Sequence, residues 1–215
     1  MADSRHAPDV FWVEPKRRAI LPLEQFRMSR SLRKIVRGGV FDLSVDRAFP
    51  AVVRHCATRA ETWINAGIEA SYNQLHRKGH AHSIECWSGE ELVGGLYGVR
   101  LGGAFFGESM FSLRPDASKV ALAWLVARLR VGGFRLLDCQ FMTPHLASLG
   151  AIEILQKDYI ALLSTALSPA GSGDAAGGGR VEFGALDRFL AGAAERSGGG
   201  TPPGWVIAQL LGQTS

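Results

Sequence analysis

From residue 82 to residue 112 apolar and polar side chains follow one another with a period near two, whereas on either side of that stretch they recur every three to four. The first pattern predicts strands and the second predicts helices. Ser83-Ile84-Glu85-Cys86-Trp87, Leu92-Val93-Gly94-Gly95-Leu96-Tyr97-Gly98-Val99 and Ala104-Phe105-Phe106-Gly107-Glu108-Ser109-Met110-Phe111 are separated by Ser88-Gly89-Glu90 and Gly102-Gly103. Three strands joined by short turns make an antiparallel meander. Glycines inside a strand weaken it, so Gly94, Gly95 and Gly98 point to a bulge or to a close approach of a ligand or another backbone.

Ahead of the meander, Ser44 is expected to cap a helix over residues 45–57, with Asp46 and Arg47 in its first turn, Pro50 bending it early and Ala48, Val52, Val53 and Cys56 buried. A second helix follows Trp63-Ile64-Asn65 over residues 66–78, apolar at Ile68, Tyr72 and Leu75 and stopped by Gly79. After the meander, Asp116 or Ser118 opens a helix over Lys119 to Leu129 that Gly132-Gly133 ends. Phe134-Arg135-Leu136-Leu137-Asp138-Cys139-Gln140 is the next strand. A strand, a helix and a strand within about 35 residues imply a right-handed crossover and parallel pairing. Thr143 with Pro144 then opens a short helix that ends at Gly150, and Ala151 to Ile154 with Tyr159 to Leu163 completes the packed part.

The two ends of the chain read differently. Phe11 to Pro22 mixes aromatics, prolines and cations and predicts extended segments separated by turns. Beyond Leu167, residues 168–180 and 197–204 are rich in Gly, Ser, Pro and Ala and are expected to be flexible, with a short amphipathic helix between them at Phe183, Leu186, Phe189 and Leu190. No chemistry is legible in that tail.

With 215 residues, 47% hydrophobic and 20% charged, the chain can build one domain, or one domain with a small appendage. No apolar run approaches the ~20 residues that cross a bilayer, and the polar start at Met1 to Asp9, with a short apolar run ending at Lys16-Arg17-Arg18, is unlike a signal peptide. A soluble cytoplasmic protein is expected. Three scattered cysteines, Cys56, Cys86 and Cys139, form neither a disulfide framework nor a zinc motif. His76, His80 and His82 straddle the Gly79 stop, and Glu85 and Cys86 would face opposite sides of the following strand, so no face collects a metal-ligand set. No metal and no cofactor are expected.

Charge is uneven. Residues 1–37 hold nine Lys/Arg against four Asp/Glu, and residues 38–215 hold fifteen against sixteen. The positive excess therefore lies wholly at the N-terminal end, where a polyanion could meet it. Arg30, Arg33, Lys34 and Arg37 recur at three- and four-residue spacing, one face of a helix. That face is either simply solvated or a grip on a phosphate backbone. Trp63, at a helix entrance, is either core or a stacking surface for a ligand.

The candidate chemistry lies in two short stretches, Gly107-Glu108-Ser109-Met110-Phe111 and Leu136-Leu137-Asp138-Cys139-Gln140. Each closes an apolar run with polar groups whose burial without partners would cost on the order of a few kcal/mol. Glu108, Asp138 and Gln140 either satisfy one another or work on a substrate.

The order of meander, helix and parallel strand is that of an α+β, acetyltransferase-like (GNAT-type) mixed sheet. Phe11-Trp12-Val13-Glu14-Pro15-Lys16-Arg17-Arg18, Ser29-Arg30-Ser31-Leu32, Gly79-His80-Ala81-His82-Ser83-Ile84-Glu85, Leu92 to Val99, Gly107 to Ser112, Ala117-Ser118-Lys119, Asp138-Cys139-Gln140 and His145-Leu146-Ala147-Ser148-Leu149-Gly150 resemble the leucyl/phenylalanyl-tRNA-protein transferase family in unbroken order over roughly residues 10–165. The resemblance implies transfer of Leu or Phe, and less well Met, from aminoacyl-tRNA to the N-terminal Arg or Lys of a protein, which marks it for degradation by the N-end rule. The partners it implies are aminoacyl-tRNA and such proteins, with no membrane, and a monomer is expected.

By the same resemblance, the Gln140 carboxamide oxygen contacts the attacking amine, Asp138 polarises that contact from the same strand face, and Glu108 binds the cationic side chain of the acceptor residue. Leu96, Phe105, Met110, Leu125 and Leu137 would form the amino-acid pocket, with Leu96 and Leu125 less bulky than their counterparts in better-known members. Trp63 would stack near the terminal adenosine, and Arg30, Arg33, Lys34 and Arg37 would hold the acceptor stem. Residues 1–37 then form a basic N-terminal segment in which the family's small N-terminal domain is expected to be largely missing, residues 38–167 the catalytic domain, and residues 168–215 the tail. Two competitors remain: an acyl-CoA-dependent N-acetyltransferase of the same fold, against which the glycine-free Arg114-Pro115-Asp116-Ala117-Ser118-Lys119 argues, and a non-catalytic RNA-binding relative.

Overall fold

The computed structural model describes residues 1–58, 62–168, 181–196 and 202–212. Its sheet grows outward from the meander. Strand β3 (Ala81–Ser88) pairs antiparallel with β4 (Glu91–Leu101), and β4 with β5 (Ala104–Ser112). Gly89 and Gly102, at φ 61° and 54°, supply the left-handed backbone that the two tight turns demand. Helix α4 (Ala117–Val131) then crosses over and β6 (Leu136–Gln140) returns parallel to β5. The full order is β2-β3-β4-β5-β6-β1-β7, with β2 (Asp42–Val45), β1 (Arg17–Ile20) and β7 (Ile152–Leu155) added antiparallel. Among the described residues the protein is thus α+β, with a mostly antiparallel seven-stranded sheet containing one parallel pair.

Both faces of the sheet are covered, and α4 is apolar nearly all round rather than amphipathic because it lies between the sheet and helices packed on its outer side. On one face α4 buries Val120, Leu122, Leu125, Val126 and Leu129 against Ile84, Leu96, Phe105 and Leu137. On the other, α2 (Phe49–Cys56) and α3 (Ala66–Arg77) bury Phe49, Val52, Val53 and Ile68 against Tyr97 and Phe111. A third, smaller cluster joins Ile20, Ala104 and Leu136 to Tyr159 of α6 (Gln156–Leu167).

Several expectations change. Ser44 caps no helix: it lies in β2, paired with Glu85, and its hydroxyl donates to that carboxylate, while α2 starts at Phe49 with Ala48 as N-cap and Pro50 in its first turn. Sheet pairing has outweighed a local capping signal. Strand β1, within the N-terminal segment, lies hydrogen-bonded between β6 and β7. Asp116 stands at the α4 N-cap without a capping bond, and its carboxylate pairs instead with Lys119 at 2.7 Å.

At the C-terminal end α7 (Ala185–Arg196) forms where the Phe183–Leu190 spacing predicts it. Arg128 of α4, almost fully buried, donates to both carboxylate oxygens of Asp187 and to the Phe183 carbonyl. A further helix, α8 (Pro203–Leu210), stands partly where flexibility is expected, and it buries Ile207 and Ala208 in the main core. Residues 169–180 and 197–201, the bulk of the stretches expected to be flexible, lie outside the described residues. The histidines are internal partners: His76 stacks on Phe49 and meets the Ala81 carbonyl, and His82 pairs with Asp46 at 2.7 Å. Among the described residues no group of three His, Cys, Asp or Glu side chains could hold a metal, and no helix is long and apolar enough to cross a membrane.

Candidate active site

The site begins where two strands stop matching their neighbours. Along β4 and β5 the partners run Tyr97 with Ser109 and then Gly98 with Gly107, so Glu108 is an extra residue on β5. Along β1 and β6 they run Ala19 with Gln140 and Ile20 with Asp138, so Cys139 is an extra residue on β6. Each is a bulge, which bends its strand and re-aims the side chains beside it. Beyond Phe106 and Asp138 the parallel pairing of β5 and β6 ceases, although β5 continues to Ser112. The sheet therefore splits between these two strands, and the split opens a cavity of about 550 Å³. That volume lies in the range of small-ligand pockets.

Apolar walls come from both layers. Leu96, Met110 and Leu137 rise from the strands, and Leu122 and Leu125 face them from α4. Leu146 of α5 (Pro144–Ser148) adds another wall, α5 being capped by the Thr143 hydroxyl as the sequence predicts. Polar groups on the same wall include Glu108, Gln140, Ser118 and His145, and Trp63 stands there too.

Gln140 is set by backbone strain and by its neighbour. Its φ of 66° is one that side-chain-bearing residues seldom adopt. The conformation is held by Asp138 Oδ1, which accepts the Gln140 N–H at 2.7 Å. The carboxamide Nε2 donates to Glu108 Oε2 at 2.6 Å and to the Gly107 carbonyl at 3.3 Å. Both donors of that amide are therefore committed, which leaves Oε1 as the end that can accept from a ligand.

Asp138 is fully buried and is not on the cavity wall. Arg18 of β1 grips it through Nε at 3.0 Å and Nη2 at 2.7 Å, and the Tyr159 hydroxyl donates to Oδ2 at 2.8 Å. Such a bidentate, charge-assisted pair is among the stronger hydrogen-bonding arrangements. Burial by itself would lower the Arg18 pKa, but the Asp138 carboxylate holds it above its ordinary value. Burial, with Asp138 next, likewise raises the Tyr159 hydroxyl, so it stays a donor.

Glu108 is less well compensated. Burial drives its pKa above the ordinary carboxylate value, and hydrogen bonds from Tyr72 of α3 and Gln140 oppose that only in part. Burial, with Glu108 next, keeps Tyr72 protonated. The Cys139 thiol is pushed up to about 12, first by burial and then by Asp138, so it is no nucleophile. Burial, with Lys119 next, lowers His145, and its Nε2 is enclosed without a hydrogen-bond partner.

A split sheet, an apolar cup and a carboxamide whose oxygen can accept make a ligand pocket, but they identify no reaction. Sequence comparison identifies the family. Residues 20–164, two thirds of the chain, match the family described as leucyl/phenylalanyl-tRNA protein transferase. The chain belongs to that family. A relative from Rhizorhabdus wittichii named leucyl/phenylalanyl-tRNA–protein transferase is 60% identical over 229 residues, spanning 100% of this chain and 92% of its own length. A relative of the same name from Novosphingobium aromaticivorans is 53% identical over 239 residues, spanning 100% and 91%. The protein is accordingly a transferase of the aminoacyl type. A solved structure from Staphylococcus epidermidis, described as a functionally unknown conserved protein, superposes with a TM-score of 0.42 at 7% identity over 65% of this chain and 57% of that one, too slight a likeness to bear on fold or function.

Within this member of the leucyl/phenylalanyl-tRNA protein transferase family, the cavity brings together Leu96, Met110, Leu125, Leu137, Glu108, Gln140 and Trp63. Two of the expected site residues stand elsewhere. Phe105 is no wall of the cup: it is fully buried, stacked on Phe183 with centroids 5.6 Å apart and edge-on to Phe134. Asp138 shares no cavity face with Gln140, because the bulge at Cys139 and the left-handed Gln140 break the alternation that would have aligned them. It meets the Gln140 backbone rather than the carboxamide. The basic residues lie on α1 (Arg30–Gly38), with Arg30, Lys34 and Arg37 exposed and Arg33 half-buried.

Arg18, Tyr159 and Tyr72 support the site without a local signal that marks them. Arg18 stands in the Phe11–Arg18 stretch that carries part of the resemblance, yet nothing near it in sequence pairs it with a carboxylate 120 positions away. Tyr72 is legible only as one apolar position of α3, and Tyr159 only as part of a packed segment.

Proposed function

We propose that this enzyme transfers Leu or Phe, and less readily Met, from aminoacyl-tRNA to the α-amine of proteins that begin with Arg or Lys, in the cytoplasm, and so marks them for N-end-rule degradation. One observation carries the reading: Gln140 lines the cavity with both amide hydrogens committed, so Oε1 is the end left to accept from a ligand where apolar walls would seat the donor's side chain. Relatives over 50% identical that bear the transferase name support the substrate class.

The reaction is aminolysis of the ester between the aminoacyl group and the terminal ribose. The α-amine attacks the carbonyl carbon, a C–N bond forms, the C–O bond breaks, and the amine proton leaves with the departing ribose oxygen. Gln140 Oε1 accepts from the amine and aims its lone pair, which is a gain in orientation. Asp138, held by Arg18 and Tyr159, is a positioning residue that keeps Gln140 in its left-handed conformation. Glu108 faces the acceptor's cationic side chain, Trp63 stacks on the terminal adenine, and α1 holds acceptor-stem phosphates. Leu96, Met110, Leu125 and Leu137, with Leu122, admit an unbranched or γ-branched apolar chain. Discrimination by such a wall is worth ~1–3 kcal/mol per methylene.

We further take the fold to be acetyltransferase-like, a reading supported by the split between parallel neighbours β5 and β6. Acyl-CoA is disfavoured as donor, because the Asp116 carboxylate stands at the N-terminus of α4 where a pyrophosphate would sit. The test uses purified protein, Leu-tRNA or Phe-tRNA labelled in the amino acid, and a peptide beginning with Arg. Label enters the peptide, and Gln140→Ala lowers kcat by ~10- to 100-fold with KM for the tRNA unchanged. Acetylation of the peptide from acetyl-CoA, or tRNA binding without transfer, overturns the assignment.

A further inference from the structure

The match to the family ends at residue 164, and among the described residues none beyond it lines the cavity. Its last helix nevertheless packs on the helix that carries the basic face. Gly204, in the first turn of α8, comes so close to the Val36 carbonyl of α1 that a Cβ would collide with it. The Arg33 guanidinium packs against Gly212, at the C-terminal end of α8, where the helix dipole favours a cation. Leu32 and Val36 of α1 and Val206, Ile207, Ala208 and Leu211 of the arm are buried.

Arg130 of α4 fastens both ends of this arrangement. Its Nε and Nη2 donate to the Leu23 carbonyl at 2.9 and 2.5 Å, in the turn that leads into α1. Its Nη1 donates to the Leu210 carbonyl at 3.0 Å, in the last turn of α8.

We propose that the C-terminal arm over residues 202–212 is a positioning element for the tRNA. Packed against α1, with Arg33 turned toward it, α8 sets the orientation in which Arg30, Lys34 and Arg37 face solvent as one phosphate-binding surface. The inference rests on the reading that α1 holds the acceptor stem. It adds that a segment beyond the matched family region, remote from the chemistry, decides how well the donor is held.

The test compares two donors in the full-length protein: aminoacyl-tRNA, and an aminoacyl-adenosine that carries the ester without the stem. Gly204→Ala forces α8 off α1. For every phosphate that α1 then fails to neutralise, tRNA binding weakens about 8-fold at 0.1 M salt, and the slope of log affinity against log salt flattens by about 0.9. KM for aminoacyl-tRNA should therefore rise by about that factor, with kcat and the kinetics of aminoacyl-adenosine unchanged. If Gly204→Ala fails to give a cooperative melt, Arg130→Lys, which cannot bridge Leu23 and Leu210 together, carries the same expectation.

A folded variant with unchanged KM for aminoacyl-tRNA overturns the proposal, as does equal loss with both donors, which marks a general effect on the fold. The double change Arg30→Ala and Lys34→Ala separates the two readings. If it weakens tRNA binding while Gly204→Ala and Arg130→Lys do not, only the arm's role falls. If the double change has no effect either, the α1 reading falls with it.

Discussion

The sheet holds buried carboxylates at two places, and they have been treated in opposite ways. At the β2–β3 end, Glu85 is fully buried and accepts from Ser44 and Ser83, both at 2.5 Å, and from the Ala48 N–H at 3.3 Å. Trp87 in turn donates to the Ser44 hydroxyl at 2.7 Å. Every one of those bonds ends inside the fold, and Glu85 does not line the cavity between β5 and β6. At the β5–β6 end, Asp138 is as deeply buried, but its network runs through the Gln140 backbone and the Gln140 amide to Glu108, and there it meets open space. A buried carboxylate is therefore not by itself a sign of chemistry. The difference lies in the backbone: β3 pairs with β2 through Glu85, whereas two bulges part β5 from β6.

The largest effect that separates the two places should come from Asp138→Asn. It removes the charge opposite a half-buried Arg18 and turns into a donor one of the two oxygens that Arg18, Tyr159 and the Gln140 N–H share. Breaking such a pair costs about 3 kcal/mol, or a melting temperature lower by about 6–12 °C in a domain of this size. Transfer measured below the lowered melting point should fall by up to the ~10- to 100-fold expected of Gln140→Ala, because Gln140 is no longer aimed. Glu85→Gln should act on stability alone, by about 1–2 kcal/mol, with kcat and KM of the folded protein unchanged. A Glu85→Gln variant that melts normally but transfers slowly would break the comparison, and so would an Asp138→Asn variant that is unstable yet fully active.

How much of this is legible in the sequence follows the range over which each signal acts. The meander, α4 and β6 are visible because period-two alternation and Gly turns are local properties. Glu108 and Gln140 stand out because polar groups end two apolar runs. Strand β1 is only half visible: Phe11 to Pro22 reads as extended segments separated by turns, and only pairing with β6 and β7, more than 100 residues on, makes Arg17-Arg18-Ala19-Ile20 a strand. Helix α8 hides in a Gly/Pro-rich stretch, although Pro203 at its first position is where proline suits a helix. Asp138 is conspicuous, but its direction is not. Alternation puts its side chain beside that of Gln140, and a bulge specified by tertiary pairing turns the two apart.

The smallest effect, and the sharpest for the open end of the comparison, is the pH dependence that Glu108 imposes. Burial raises its folded-state pKa above the ordinary carboxylate value of 4.5, so in the interval between the two the folded protein binds more protons than the unfolded chain. Stability must then fall as pH rises through that interval, the reverse of the effect of a salt-bridged carboxylate. Glu108→Gln should flatten the profile and, at neutral pH, melt higher than the parent relative to the difference at pH 4, by about 1–3 °C. Use of a peptide beginning with Arg should move the other way in the unsubstituted enzyme: kcat/KM rises as Glu108 ionises, because only the carboxylate attracts the cationic side chain. The two curves should therefore cross over the same interval, one falling and one rising. Parallel melting profiles for the two proteins would mean that Glu108 is as well solvated as a surface carboxylate, and the contrast with the fully enclosed Glu85 would then have to rest on the split in the sheet alone.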